Sequence, residues 1–182
     1  MQSEKIEFAP ALDRLDLVSP SVATMLRHWK GPVPIQEIEV AEIDPAFAGG
    51  NDFCTHYGVP TAEGVNCVII EATRGNSSTT AACLAPVNYR IDFNGVVRKA
   101  LNARRVSLAP LDQVLHLTGM EYGSITALGL PAEWIILLDP RVLVPSHIVI
   151  GSGLLKAKLR LPGKALAELS LAKVIDNLAV PQ

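Results

Sequence analysis

An α+β fold in a single domain, with a mixed and mainly antiparallel sheet and flanking helices, is what this chain of 182 residues predicts. Two observations carry the prediction. Runs of strands, one pair joined by a hairpin connector, are interrupted by segments whose apolar residues follow helical spacing. No break in composition marks a second domain, so residues 1–182 are expected to fold as one unit.

The elements follow in order. Residues 1–18 are mixed in character and read as a loosely packed lead-in. Ser19-Pro20 has the chemistry of a helix start, a capping hydroxyl followed by proline in the first turn. That helix turns Val22, Met25, Leu26 and Trp29 inward and ends near Gly31. Residues 35–43 read as a strand, with Ile38 and Val40 opposite Glu37 and Glu39. Asp44-Pro45 leads into a short helix holding Phe53, Cys54 and Tyr57, which Gly58 closes. Residues 67–73 and 79–85 form a hairpin across Arg74-Gly-Asn-Ser-Ser78. Asp92 caps a helix through Val96, Val97 and Leu101. A strand over 104–108 and a helix begun by Pro110 follow. After a glycine-rich loop come strands at 135–138, 148–150 and 154–161. In the last of these Leu155, Ala157, Leu159 and Leu161 alternate with Lys156, Lys158 and Arg160, which places the basic residues outward. A short helix at 164–169 and a strand near Val174-Ile175 end the chain.

Bulk properties narrow the function classes. Hydrophobic residues make up 49% and charged residues 19%, the balance of a globular protein. A net charge of -2 gives no bulk electrostatic case for nucleic acid, and no DNA partner is expected. Local basic clusters at Arg98-Lys99 with Arg104-Arg105, and at Lys156, Lys158 and Arg160, could still meet the end of an RNA; both also fit a solvated surface. The first residues show no basic start followed by an apolar core, so no secretory signal is expected, and no apolar run approaches membrane-spanning length. Cys54, Cys67 and Cys83 form neither a C-x-x-C pair nor an even set, so neither a disulfide framework nor a zinc site is expected. A reduced, cytoplasmic protein fits best.

Chemistry concentrates between Leu117 and Asp139. Gly119, Gly123 and Gly129 crowd a short span, which implies backbone in special conformations or close approach to a neighbour. Gly151-Ser152-Gly153 makes a second glycine turn after Val149-Ile150. Two such turns facing one cleft could present main-chain N–H groups to an anion or a developing oxyanion. Taken alone, the Gly123–Ala127 stretch reads first as a plain turn, and Gly151-Ser152-Gly153 fits a tight hairpin as well as a pocket wall.

Thr118-Gly119, then Gly123-Ser-Ile-Thr-Ala127-Leu-Gly129, then Asp139, then Gly151-Ser-Gly153, resembles the YbaK/EbsC family. That family is related to the editing insertion of bacterial prolyl-tRNA synthetases. The resemblance covers residues 61–169, leaving 1–60 as a helix–strand–helix lead-in. It implies the YbaK fold, hydrolysis of mischarged aminoacyl-tRNA, the 3′ end of an aminoacyl-tRNA as partner, and no cofactor or metal. By the same resemblance Gly123 opens a loop whose backbone polarises the ester carbonyl. Thr126 stands where a small hydroxyl residue meets a ribose hydroxyl or a water. Ser124, Ile125, Ala127 and Gly129 complete the loop; Gly151, Ser152 and Gly153 wall the pocket; Asp139 orders a loop or a water, or caps a turn.

Two positions depart from the family pattern. Ala127 replaces the loop proline, so φ is no longer fixed there. The family lysine at the head of the first long strand falls on Asn66 or Cys67, and this chain has no lysine between Lys30 and Lys99. Asn66 can offer a neutral hydrogen bond in its place. Three readings therefore stand: a trans-editing deacylase; a non-catalytic module of the same fold holding an aminoacyl, nucleotide or other small ligand; and a thiol enzyme using Cys67.

Overall fold

A long two-stranded hairpin organises the molecule, and the other strands are added to its two edges. The computed structural model describes residues 5–182. In chain order the elements are β1 (Ala9–Pro10), α1 (Pro20–Arg27), β2 (Glu39–Glu42), α2 (Gly50–Tyr57), β3 (Val65–Arg74), β4 (Ser77–Pro86), β5 (Tyr89–Ile91), α3 (Arg98–Ala100), β6 (Arg105–Leu108), α4 (Leu111–Thr118), β7 (Ile135–Leu138), β8 (Ile148–Gly151), β9 (Ala157–Leu161), α5 (Lys164–Ala167), β10 (Ala172–Val174) and β11 (Ala179–Pro181). Short 3-10 turns fill several of the connections, and a π-helical turn, Phe93–Val97, leads into α3.

The hairpin is β3 and β4, paired from Val65↔Pro86 to Arg74↔Ser77. It lies in a five-stranded sheet of order β10-β7-β4-β3-β6. β6 is antiparallel to β3, whereas β7 runs parallel to β4 and β10 parallel to β7. A second sheet, β1-β2-β9-β8, is antiparallel throughout. A bridge between Gly64 and Val149 joins the two sheets, supported by the Val149 N–H donating to Glu63 O at 2.8 Å. The fold is α+β with mixed, mainly antiparallel sheets.

Alternation along the central strands explains why they read as continuous apolar runs. Ile69, Ala82, Leu84, Ile136 and Leu138 face the main core, with Ile150 and Leu159 of the second sheet and Val22 and Leu26 of α1. Ile70, Ala81, Cys83 and Leu137 face the other way, onto Val97 and Leu178. Strands covered on both faces need apolar side chains at every position. α2 builds a third cluster, packing Phe53, Cys54 and Tyr57 against Ile43, Val87 and Val149.

Several expected elements stand as read: β7, the hairpin, the Gly58 cap with φ of 67°, and the Asp92 cap, whose carboxylate accepts from Gly95 N and Val96 N. Others are corrected. Ile35–Glu37 forms a 3-10 turn, so the strand starts at Glu39. Leu154 to Lys156 form the loop before β9 rather than its first residues: Ser152 Oγ lies within hydrogen-bond distance of the carbonyls of both Leu154 and Ala157, at 3.0 and 3.1 Å, and its single hydrogen serves one or the other to hold a turn there. Ser19 makes no side-chain cap; its N–H donates to Ser152 O and its hydroxyl meets Ser21 Oγ. Of the lead-in, residues 1–4 lie outside the described residues. The rest is not loosely packed: Ala11, Leu17 and Val18 are buried in the main core, and β1 pairs with β2.

Candidate active site: a cleft between the two glycine turns

The two glycine turns meet. Gly153 N–H donates to Ser124 O at 2.9 Å and Glu121 N–H donates to Gly153 O at 2.8 Å. Ser124 Oγ donates to Leu154 O and accepts from Ser152 N–H. Gly151 makes the contact possible. A Cβ at that position would lie 2.4 Å from Ser124 O, inside any real carbon–oxygen contact, so a side chain there would force the loops apart.

Beside this junction is a cleft of about 380 Å³. Gly123, Ile125 and the exposed Tyr122 form its loop wall, with Gly151 next to them. The head of β3 forms the opposite wall through Val65, Asn66, Cys67 and Val68. The approach to α2, Ala48 to Gly50, supplies the third wall, and Lys158 of β9 the fourth member. Among the described residues, neither the Gly123 N–H nor the Ile125 N–H has a hydrogen-bond partner within the protein.

Five residues singled out from sequence therefore share this cleft: Asn66, Cys67, Gly123, Ile125 and Gly151. The others lie elsewhere. Ser124 and Ser152 are buried and staple the turns together, with Gly153 behind them. Thr126 is fully buried; its Oγ1 is the single buried side-chain N or O atom without a hydrogen-bond partner among the described residues, and its N–H faces Met120 Sδ. Ala127 and Gly129 line a separate, more apolar groove of about 480 Å³, together with Met25, Leu130 and Trp134. Gly129 adopts φ of 77° with the Ser21–Val22 backbone 2.6 Å from where a Cβ would sit, so it serves the packing of α1. Asp139 is buried at the start of a 3-10 turn. Its carboxylate accepts from Arg141 N and Nη1 and from Ala179 N, so it caps the turn and ties down β11.

Cys67 is half-buried, packed against the main core at the β3 wall, and desolvation pushes its thiol well above the ordinary range, away from the thiolate. Among the described residues no three groups of metal-binding type come together, and no helix is long and apolar enough to cross a membrane.

Lys158 is where the sequence reading fails. The alternation of β9 places it outward, yet its side chain is only 6% exposed. Nζ donates to Ala48 O at 2.8 Å and lies 5.4 Å from the centre of the Phe53 ring. Desolvation lowers its pKa to about 8. Both faces of β9 are covered, one by the core and the other, at this position, by α2. Strand periodicity says which residues share a face; it carries no information about what lies over that face. The Ala48–Gly50 wall was also missed, and Gly49-Gly50 was the available signal.

The family model for the aminoacyl-tRNA editing domain matches residues 45–169, well over half of the chain. No curated protein matches. Among solved structures, a candidate trans-editing enzyme for prolyl tRNA synthetase superposes with a TM-score of 0.72 at 20% identity, covering 87% of this chain and 97% of that one. A crystallised hypothetical protein gives 0.68 at 21% identity, over 78% of this chain and 90% of its own. A scaffold protein from computational epitope grafting gives 0.71 at 19% identity, over 87% and 97%. At these identities the superpositions establish the fold, and the family-model match establishes the kinship: the chain belongs to the aminoacyl-tRNA editing domain family.

Proposed function

We propose that this protein hydrolyses the ester bond of mischarged aminoacyl-tRNA, as a trans-editing deacylase acting in the cytoplasm on the 3′ end of the tRNA. The observation that carries this reading is the convergence of Gly123, Ile125 and Gly151 with the head of β3 around one open cleft, in a chain of the editing family. An aminoacyl ester is already activated. A site that binds the tail, selects the amino acid by size and stabilises the tetrahedral oxyanion is sufficient for water to attack. The unpartnered N–H groups of Gly123 and Ile125 are the donors available to the ester oxygen. Val65, Val68 and Ile125 present apolar surface to the amino-acid side chain, and Asn66 offers the neutral hydrogen bond on the facing wall. None of these steps calls on a metal or a cofactor.

The test is a panel of tRNAs mischarged with small amino acids, incubated with pure protein. Release of amino acid above the buffer rate is expected for at least one; a panel that stays charged removes the hydrolytic reading.

One observation favours a second reading, a binding module without catalysis. The β3 wall presents Asn66 and Cys67, and no lysine, to the cleft. Lysine introduced at Asn66 separates the two: activity that arises only in that variant assigns the natural protein to binding.

A further inference from the structure

Lys158 is an ammonium enclosed by protein with nothing negative to answer it. Among the described residues no carboxylate forms an ion pair with it. Its one hydrogen bond, to Ala48 O, leaves two of its three N–H donors free. The other titratable group that its charge feels is Cys54 on α2, whose thiol burial holds in the neutral form. Stability does not explain such a residue. A methionine of similar length would fill the same space without the cost of desolvating a charge. The side chain also lines an open cleft, so an anion can reach it. Next to it Gly49 and Gly50 begin α2, an eight-residue helix with no side-chain hydrogen bond at its cap and with Asp52 in its first turn.

We propose that Lys158 is the anion-binding residue of the cleft: its ammonium takes a phosphate or oxyanion oxygen of the bound molecule, between β9, the first turn of α2 and the Asn66 edge of β3. The inference rests on the cleft being the functional site, and names the residue that grips the charged part of its ligand. For an aminoacyl-tRNA that part is either the last phosphodiester or the oxyanion formed at the ester.

The binding test needs no hydrolysis. Inorganic phosphate and adenosine 5′-monophosphate serve as probes of the pure protein. Binding of either probe protects the protonated ammonium, so the Lys158 titration, followed by NMR at the side-chain Cε, should move upward from about 8. Lys158→Met should weaken probe binding by about ten-fold or more, while Lys158→Arg should keep most of it. Probes that bind neither protein at millimolar concentration, a titration that does not move at saturation, or equal binding by wild type and Lys158→Met would each overturn the proposal. The wild-type titration decides alone if Lys158→Met fails to fold.

The two levels of inference fail differently. Mischarged tRNA left intact by a protein whose Lys158 responds to the probes removes hydrolysis and keeps the anion site. Equal deacylation by wild type and Lys158→Met removes the anion site and keeps hydrolysis. In an active enzyme, a loss confined to KM places Lys158 on the phosphodiester, and a loss in kcat places it on the oxyanion.

Discussion

Lys158 and Arg160 stand two residues apart on the same face of β9, and their fates diverge because of what lies across the ladder. The partner of Arg160 on β2 is Glu39, and Arg160 Nε and Nη2 both reach Glu39 Oε2, at 2.7 and 2.6 Å. Its guanidinium also lies 4.2 Å from the centre of the Phe8 ring. The partners of Lys158 are Ala41 on β2 and Gly151 on β8, a methyl group and no side chain at all. Arg160 is thus neutralised at the surface, and Lys158 is left charged over a hollow. The same residue class on the same strand face gives a structural ion pair in one place and an open binding group in the other. A sequence alternation scores the two alike.

The largest effect that would break this comparison is on ligand handling. Lys158→Met should lower deacylation, measured as kcat/KM on a mischarged tRNA, by about 100-fold, the scale of truncating a buried charged partner. Lys158→Met combined with Asn66→Lys should recover part of the loss, since both positions line the cleft.

Next comes pH. The folded lysine titrates near 8 and the unfolded one near 10.5, so the folded state binds this proton less readily. The resulting penalty, about 3 kcal/mol, is fully present below pH 8 and is relieved as pH rises from 8 to 10.5. The titratable groups around Lys158 are Cys54, whose thiol burial pushes up toward the neutral form, and, beyond it, Glu63. Wild type should therefore gain stability across that window relative to Lys158→Met, in urea melts at successive pH values, while anion binding falls over the same range. A stability difference that does not change between those pH values would show that Lys158 is not desolvated.

A smaller effect is expected at the residue facing Lys158. Gly151→Ala brings a methyl against Ser124 O and should cost about 1–3 kcal/mol in a thermal melt, with weakened activity as the turns separate. Arg160→Ala, the other half of the comparison, should cost about 1 kcal/mol or less and leave probe binding unchanged, because its ion pair is partly exposed. Least of all, Cys67→Ala should keep full activity; a loss would revive the thiol reading.

Much of the molecule was legible in local chemistry. The Asp92 cap, the left-handed Gly58, the turn after Arg74 and the apolar strand over 135–138 follow from donors, φ preferences and side-chain character within a few residues. The composition of the two glycine turns is enough to expect that they meet; of the loop residues, Gly123 and Ile125 line the cleft, Ser124 and Thr126 are buried, and Ala127 and Gly129 line the apolar groove. Ser124, Ser152 and Thr126 are small and polar, suited equally to a pocket wall or to a tight junction, and only the neighbouring turn decides between them. Asp139 likewise had two readings open, and the approach of Ala179, forty residues later, settles it as an internal cap.

By itself, then, the order of residues determined which stretches bend, which extend and which side chains share a face, because those preferences arise from each residue and its near neighbours along the chain. Tertiary structure decided what covers each face: the core under Ala11 and Leu17, the groove taken by Ala127 and Gly129, and the enclosure of Lys158 beneath α2. The reason is physical. Burial and the loss of solvent around a charge depend on segments more than a hundred positions distant, Ala48 against Lys158 among them, and no local pattern carries that distance.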